Sequence, residues 1–291
     1  MRLFKRKAVK VAVAQMPIVH GDRDTNLRTA DRFIRESSSH NAGLICLPQA
    51  FATGLNLPEL RSSAEPVPDG PTTRFLAESA VRSQAYIIAG ILESDGRDVY
   101  DTAVLIDPSG RLAGKYRRWF LWQMEKQFFT PGSPVGCFKT SIGRIGLIIG
   151  YDVNFPEACR HYFRDQVDVI VCIADVMDDI GFPVLHLSRA RAIENHCYFV
   201  FCSALGEHAF TGTSFMGRSA IACDPIFLVY ELKEDRVPEP GILKQADRAP
   251  QVITAELCLE DLAARRSRVP EYSDLLDATT LTGGDRSWLI G

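Results

Sequence analysis

The sequence predicts a layered α/β domain, and three observations carry that expectation. Short apolar runs of strand length alternate with amphipathic stretches of helical period through most of the chain. The 291 residues, 46% hydrophobic and 24% charged, suffice for one sizeable core in ordinary globular proportions. No internal repeat, low-complexity tract or long linker divides the chain, so residues 1–291 read as a single domain with an irregular tail from about 268.

Val9–Gln15 reads as a strand, and Asn26–Ser37 as a helix with Leu27, Ala30, Phe33 and Ile34 on one face. Leu44–Leu47 is a short buried strand stopped by Pro48. Thr72–Ser83 is helical, with Phe75, Leu76 and Ala80 inward, and Tyr86–Leu92 and Ala103–Asp107 are strands, the second closed by the turn Asp107-Pro108-Ser109-Gly110. The strand Ile145–Ile149 leads into a helix near Pro156, where proline suits the first helical turn. Val167–Ile173 is a buried strand, Leu185–Asn195 a helix rich in Arg and Ala, and Tyr198–Ala204, Ser219–Cys223 and Val252–Leu257 complete the strands. A short helix begins near Leu259, and residues 233–250, with three prolines and many charges, read as an exposed excursion.

The net charge of −3 argues for neither nucleic acid nor an anionic membrane as partner. The cluster Arg2, Lys5, Arg6, Lys7 reads as a solvated lead-in to the first strand rather than a nucleic-acid arm. No apolar run approaches a bilayer span, and charges interrupt any signal-peptide core until Val9. The eight cysteines (46, 137, 159, 172, 197, 202, 223 and 258) show no ligand spacing, and several lie inside apolar runs. A cytoplasmic protein with reduced, buried thiols, no structural zinc and no cofactor is the expectation.

Four segments carry chemistry. Val11-Ala12-Val13-Ala14-Gln15-Met16 opens the chain, and Leu44-Ile45-Cys46-Leu47-Pro48-Gln49-Ala50-Phe51 follows. Gly114-Lys115-Tyr116-Arg117-Arg118-Trp119-Phe120-Leu121 comes next, and Ile148-Ile149-Gly150-Tyr151-Asp152-Val153-Asn154-Phe155-Pro156-Glu157 runs from a strand through a sharp turn into a helix. In this order they resemble the nitrilase (carbon–nitrogen hydrolase) superfamily, and Arg189–Asn195 and Gly217-Arg218-Ser219 resemble two further landmarks of it. The resemblance runs from about Val9 to about Arg268 and implies a four-layer α-β-β-α sandwich of the nitrilase type, commonly dimerised so that the layers continue across the interface.

It also implies a catalytic glutamate, lysine and cysteine where this chain has Gln49, Arg118 and Gly150, and commonly a histidine where Phe120 sits. That chemistry needs a thiolate nucleophile, a carboxylate to take and return its proton, and an ammonium for the oxyanion. Gln49 has no basic site near neutral pH, Arg118 has a different fork geometry, and Gly150 has nothing to attack with. Loss of a nucleophile lowers turnover by about a million-fold in a comparable hydrolase. Gln49 with Arg118 carries +1 where glutamate with lysine is neutral, which favours a carboxylate-bearing ligand. The expectation is therefore a pseudoenzyme, homodimeric, that binds a small anionic or amide-bearing ligand or regulates a partner enzyme. The ligand site would comprise Gln49, Arg118, Glu125, Gly150, Tyr151 and Asp175. The alternative is a repurposed enzyme for cyclisation, isomerisation or condensation, with Glu125 as acid or base and Arg118 as electrostatic stabiliser; a pure scaffold subunit is a third.

Other residues weigh less. Asp152 reads as a capping residue of the turn. Asp175, Asp178 and Asp179 could offer oxygen ligands, but acids on surface loops are the commoner case. Cys172 could be a displaced nucleophile, although its apolar surroundings favour an inert thiol. His186 and His196, ten apart, do not have metal-ligand spacing.

Overall fold

A computed structural model of the chain describes residues 8–55, 59–179, 182–209, 211–227, 241–259 and 262–281. The basic residues at 2–7 and residues 233–240 of the 233–250 excursion lie outside them. The first half of the chain runs β1 (Val9–Gln15), α1 (Arg23–Ser39), β2 (Leu44–Cys46), α2 (Leu60–Ser63), α3 (Pro71–Ser83), β3 (Tyr86–Asp95), β4 (Asp98–Ile106) and β5 (Leu112–Arg117). The second runs β6 (Phe138–Thr140), β7 (Gly143–Ile149), α4 (Pro156–Phe163), β8 (Val169–Ala174), α5 (Phe182–Glu194), β9 (Tyr198–Ser203), β10 (Ala220–Cys223), β11 (Ile242–Gln245), β12 (Gln251–Leu257), α6 (Leu262–Arg266) and α7 (Pro270–Leu281).

Two six-stranded sheets result, in the orders β12-β1-β2-β3-β4-β5 and β11-β10-β9-β8-β7-β6. Each holds three parallel strands in its middle, β1-β2-β3 in one and β7-β8-β9 in the other, flanked by antiparallel pairings. Strand alternation builds three apolar layers. Val11, Val13, Leu44 and Ile88 of the first sheet face Leu147, Ile149, Val171 and Val200 of the second across the central core. Ala12, Ala14 and Ile87 point the other way, under Phe33 and Ile34 of α1 and Leu76 and Ala80 of α3. Ile148, Ile170 and Phe199 do the same beneath Cys159 and Tyr162 of α4 and Ala192 of α5. The molecule is thus an α-β-β-α sandwich, as expected.

Local sequence sets the helix starts. The Asp22 side chain accepts the Thr25 N–H at 3.0 Å and caps α1, while Pro71 and Pro156 open α3 and α4. Gly90 of β3 lets the chain after β2 cross closely, since a Cβ there would lie 2.5 Å from the Ala50 nitrogen and 2.6 Å from the Gln49 Cα. Gln49 therefore owes its position to a glycine on the neighbouring strand.

The structure departs from the expectations at several places, among them β11, which forms within the 233–250 excursion and pairs with β10. Asp98–Asp101 belongs to β4, which begins before Ala103 and so carries Asp101 into the sheet. β5, which overlaps the Gly114–Leu121 segment, lacked an apolar signal because Lys115 and Arg117 alternate with its inward residues and reach Glu93 at 2.5 and 2.7 Å. The tail from about 268 is not irregular over 270–281: α7 forms there and packs Val269, just before it, and Tyr272 against Phe163.

Candidate active site

Four chain segments end side by side at one end of the two sheets. Gln49 follows β2, Arg118 follows β5, Gly150 follows β7 and Asp175 follows β8, so the parallel strands deliver three of them from their carboxyl ends. The sequence-predicted triad positions are thus brought together, and an unpredicted residue lies among them. Asp101 of β4, 1% exposed, accepts through Oδ2 from Gln49 Nε2 at 2.7 Å and from Arg118 Nη1 at 2.9 Å. The signal for it in the sequence is an acid inside the strand Asp98-Val99-Tyr100-Asp101-Thr102-Ala103-Val104.

Arg118 is 3% exposed and its donors are committed. Nε donates to the Phe120 carbonyl at 3.0 Å, Nη1 to Asp101 and, at 3.1 Å, to Glu125 Oε1, and Nη2 to Glu125 Oε2 at 2.5 Å. This guanidinium offers no free fork to a ligand carboxylate, contrary to the cationic cleft expected from Gln49 and Arg118 alone. The missing quantity in that reading was the charge of Asp101. Glu125 is likewise occupied, because its Oε2 also accepts the Trp122 N–H at 2.7 Å. An acid/base role for Glu125 would first have to break these bonds.

The acids around Arg118 outnumber it. Burial pushes the Asp101 carboxyl up to about 6 against the pull of Arg118, with Glu125 and Asp152 adding to the rise. Burial also lifts Asp152 to about 6, although Tyr116 Oη, the Ile149 N–H and the Phe120 N–H all donate to it at 2.8–3.0 Å. Asp175 is raised well above the carboxylate range by burial, then by Asp101 and Glu125. These shifts have a consequence for stability. The folded state holds protons on Asp101 and Asp152 that the unfolded chain releases, so their contribution is complete below about pH 4 and is lost as pH rises through about 6. Wild type should therefore gain stability relative to Asp101→Asn as pH falls from about 6 to about 4, measured by urea unfolding across that range. A constant difference would contradict the raised carboxyl.

Gly150 opens the short 3-10 turn Gly150–Asn154 with φ of +45°. A Cβ on it would stand 2.8 Å from Gln49 Oε1. Gln49 Oε1 and Asp101 Oδ1 are both buried without a hydrogen-bond partner among the described residues. Two acceptors in one buried place await donors, and Gln49 Oε1 stands beside the bare glycine. Gly150→Ala should cost about 1–2 kcal/mol from the left-handed backbone alone and should also push Gln49 aside. Thermal melting checks the first effect; an unchanged melting point would count against the strained turn.

Asp152 has the structural role read from the sequence, tying β5 to the turn. Arg191 of α5 supports the same turn by donating from Nε and Nη2 to the Val153 carbonyl at 3.1 and 3.0 Å. Tyr151 and Asp175 are partly exposed beside the cluster. Cys172 is wholly buried among Ile148, Ile170 and Phe199 on the outer face of its sheet, and burial raises its thiol far above neutrality. Burial in apolar surroundings favours an inert thiol over a displaced nucleophile. Asp178 is spent on Arg248, with both contacts at 2.8 Å, and no group of three His, Cys, Asp or Glu among the described residues could hold a metal. His196, before β9, pairs with Asp224 at 2.7 Å at the opposite end of the strands from Gly150. Among the described residues no helix is long and apolar enough to cross a membrane.

Comparison with known proteins places this architecture. The carbon–nitrogen hydrolase family profile matches residues 10–228. A nitrilase of Pyrococcus abyssi is 34% identical over 238 residues, covering 80% of this chain and 88% of its own. The 2-oxoglutaramate amidase of Bacillus subtilis is 26% identical and covers 91% of this chain and 96% of its own. The solved structure of Saccharomyces cerevisiae Nit3, of the nitrilase superfamily, superposes with a TM-score of 0.78 at 24% identity over 93% of this chain and 97% of that one. The chain belongs to the carbon–nitrogen hydrolase family.

That kinship corrects the expectation of a pseudoenzyme and of a repurposed acid/base enzyme. The relatives aligned along most of the chain are named as a nitrilase, a 2-oxoglutaramate amidase and an omega-amidase, all names of active enzymes. Gln49, Arg118 and Gly150 are not the whole of the site, because Asp101, a buried carboxyl, lies in the same place.

Proposed function

We propose that the protein hydrolyses a small carboxamide, with water taking the part of a side-chain nucleophile. The observation that carries this reading is the pair of unpartnered acceptors, Gln49 Oε1 and Asp101 Oδ1, in the buried cluster with Gly150. Asp101 Oδ1 would accept a proton from the attacking water as its oxygen bonds to the amide carbon. The carbon–nitrogen bond then breaks, and the same proton passes to the leaving nitrogen, giving a carboxylic acid and ammonia; the acid then gives up its remaining proton to the ammonia, leaving a carboxylate and ammonium. A carboxyl raised to about 6 suits both halves of that transfer. Arg118 holds Asp101 in place, and Glu125 holds Arg118, so these two position rather than react. Gln49 orients the water or the amide N–H₂ through Oε1, and Tyr151 and Asp175 border the ligand.

The names of the relatives support primary amides as the substrate class. The occupied fork of Arg118 favours a neutral, N–H-bearing group at the reacting centre over a carboxylate there. We place the protein in the cytoplasm, on the support of its free cysteines, and as a homodimer, on the support of Met124, Phe128 and Ile193 left exposed.

Ammonia release should be followed with a panel of primary amides that includes 2-oxoglutaramate and succinamate. Turnover should survive Cys172→Ser and prior treatment with iodoacetamide, and a single turnover in H₂¹⁸O should label the carboxylate product. Absence of ammonia from every amide, or activity lost with a cysteine, would overturn the reading.

A further inference from the structure

We propose that the substrate carries an aromatic ring with an anionic substituent, held in an aromatic cavity next to the reacting centre and gripped at its rim by Lys126. This rests on the hydrolytic reading above and deepens it. The cavity has a volume of about 640 Å³, and its wall includes Trp119, Phe120, Tyr151 and Phe155, with Gln123 and Lys126 as its polar side chains. Its size falls within the range of small-molecule sites, and so does its pattern of apolar walls with few polar groups.

The chain itself joins this cavity to the cluster. Trp119 and Phe120 directly follow Arg118, Tyr151 directly follows Gly150, and Lys126 directly follows Glu125. The Phe120 carbonyl accepts from Arg118, so the ring and the guanidinium are held by one short turn. Tyr151, whose ring lines the cavity, is bonded directly to Gly150, so the wall begins one residue from the cluster.

The rings are ordered. Phe120 and Phe155 stack with centroids 3.9 Å apart and planes 13° from parallel, Tyr151 meets Phe155 edge-on at 5.1 Å, and Trp119 lies 4.6 Å from Phe120. All four are only partly buried, so ring surface remains for a further ring to cover. Offset and edge-to-face contacts give aromatic ligands a preference over aliphatic ones of equal area. Lys126 is exposed, borders the cavity, and has no ion-pair partner among the described residues. Among the described residues no carboxylate lies within ion-pair distance of its ammonium, in contrast to the guanidinium of Arg118, and an anionic substituent on the ring would supply one.

Terephthalamate, a primary amide on a benzene ring with a para carboxylate, is the direct probe, with succinamate as its aliphatic counterpart and benzamide as its uncharged one. We expect kcat/KM for terephthalamate to exceed that for succinamate at least tenfold. Lys126→Met should lower it about tenfold, mainly through KM, while leaving benzamide unchanged. Binding of the dianion terephthalate by calorimetry separates the two readings, because it needs no turnover. Terephthalate bound in a Lys126-dependent manner without hydrolysis of any amide would sink the hydrolytic reading and keep the cavity. Hydrolysis that favours succinamate, or terephthalate binding indifferent to Lys126→Met, would overturn the cavity proposal. Lys126 lies at the surface, so the variant tests the contact without threatening the fold.

Discussion

Arg118→Met lowers the stability of the folded protein by about 3–5 kcal/mol, the usual cost of removing one partner from a buried ion pair. Two opposing terms decide this. Taking Arg118, Asp101 and Glu125 out of water is expensive, and their mutual attraction in a poorly solvated place offsets it only while all are present. Removing the cation leaves Asp101 (1% exposed) and Asp152 (0% exposed) in a cluster with Glu125 and without their shared counter-charge. Met fills most of the volume, so packing loss is secondary. The carboxyls can escape by taking up protons, which makes the cost smaller in acid than at neutral pH. Equilibrium urea unfolding at pH 5 and pH 8 measures both values. Arg118→Lys keeps the charge but loses the paired contacts to Glu125, and should fall between wild type and Arg118→Met. A change below about 1 kcal/mol in Arg118→Met at pH 8, the scale of an exposed ion pair, would show that the cluster is solvated.

How much of this was legible in the sequence varies from element to element. The layered α/β class followed from periodicity, because Val11, Val13 and Leu147 face one side of their sheets while Ala12, Ala14 and Ile148 face the other. The pairing of two sheets face to face was not in the periodicity, since a strand buried on both faces reads as a plain apolar run; the resemblance supplied it. Gln49, Arg118 and Gly150 were found because they fill recognisable slots in four ordered segments. Asp101 was not, because its role depends on its contact with Gln49, 52 residues away in the chain, which only the folded sheet brings near. The charge of the pocket was misjudged for the same reason: local sequence shows +1 from Arg118, whereas the fold adds Asp101, Asp152 and Asp175 around it. Gly90 is a further case, a glycine whose purpose, to admit the chain at Gln49, lies on a neighbouring strand.

Asp101→Asn should abolish most of the proposed hydrolysis, with a fall of about 10²–10⁴ in kcat, the range that a positioned general base contributes. The amide of asparagine has nearly the shape of the carboxyl and can still accept from Gln49 Nε2 and Arg118, so the site keeps its geometry. It cannot take a proton from water, and if its N–H₂ replaces Oδ1, the orphaned acceptor becomes a donor facing the amide. KM should change little, because the ring cavity and Lys126 are untouched. The pH dependence sharpens the test. In wild type kcat should rise with pH through about 6 as Asp101 ionises, and the residual activity of Asp101→Asn should lose that rise. Gln49→Glu offers the complementary variant, since it restores an ionisable oxygen at the position facing Gly150. If that carboxylate can act as the base, Gln49→Glu combined with Asp101→Asn should recover part of the lost rate. A variant that keeps full kcat with only Asp101 changed would remove the base from the mechanism, leaving water to be activated by something other than the cluster around Arg118.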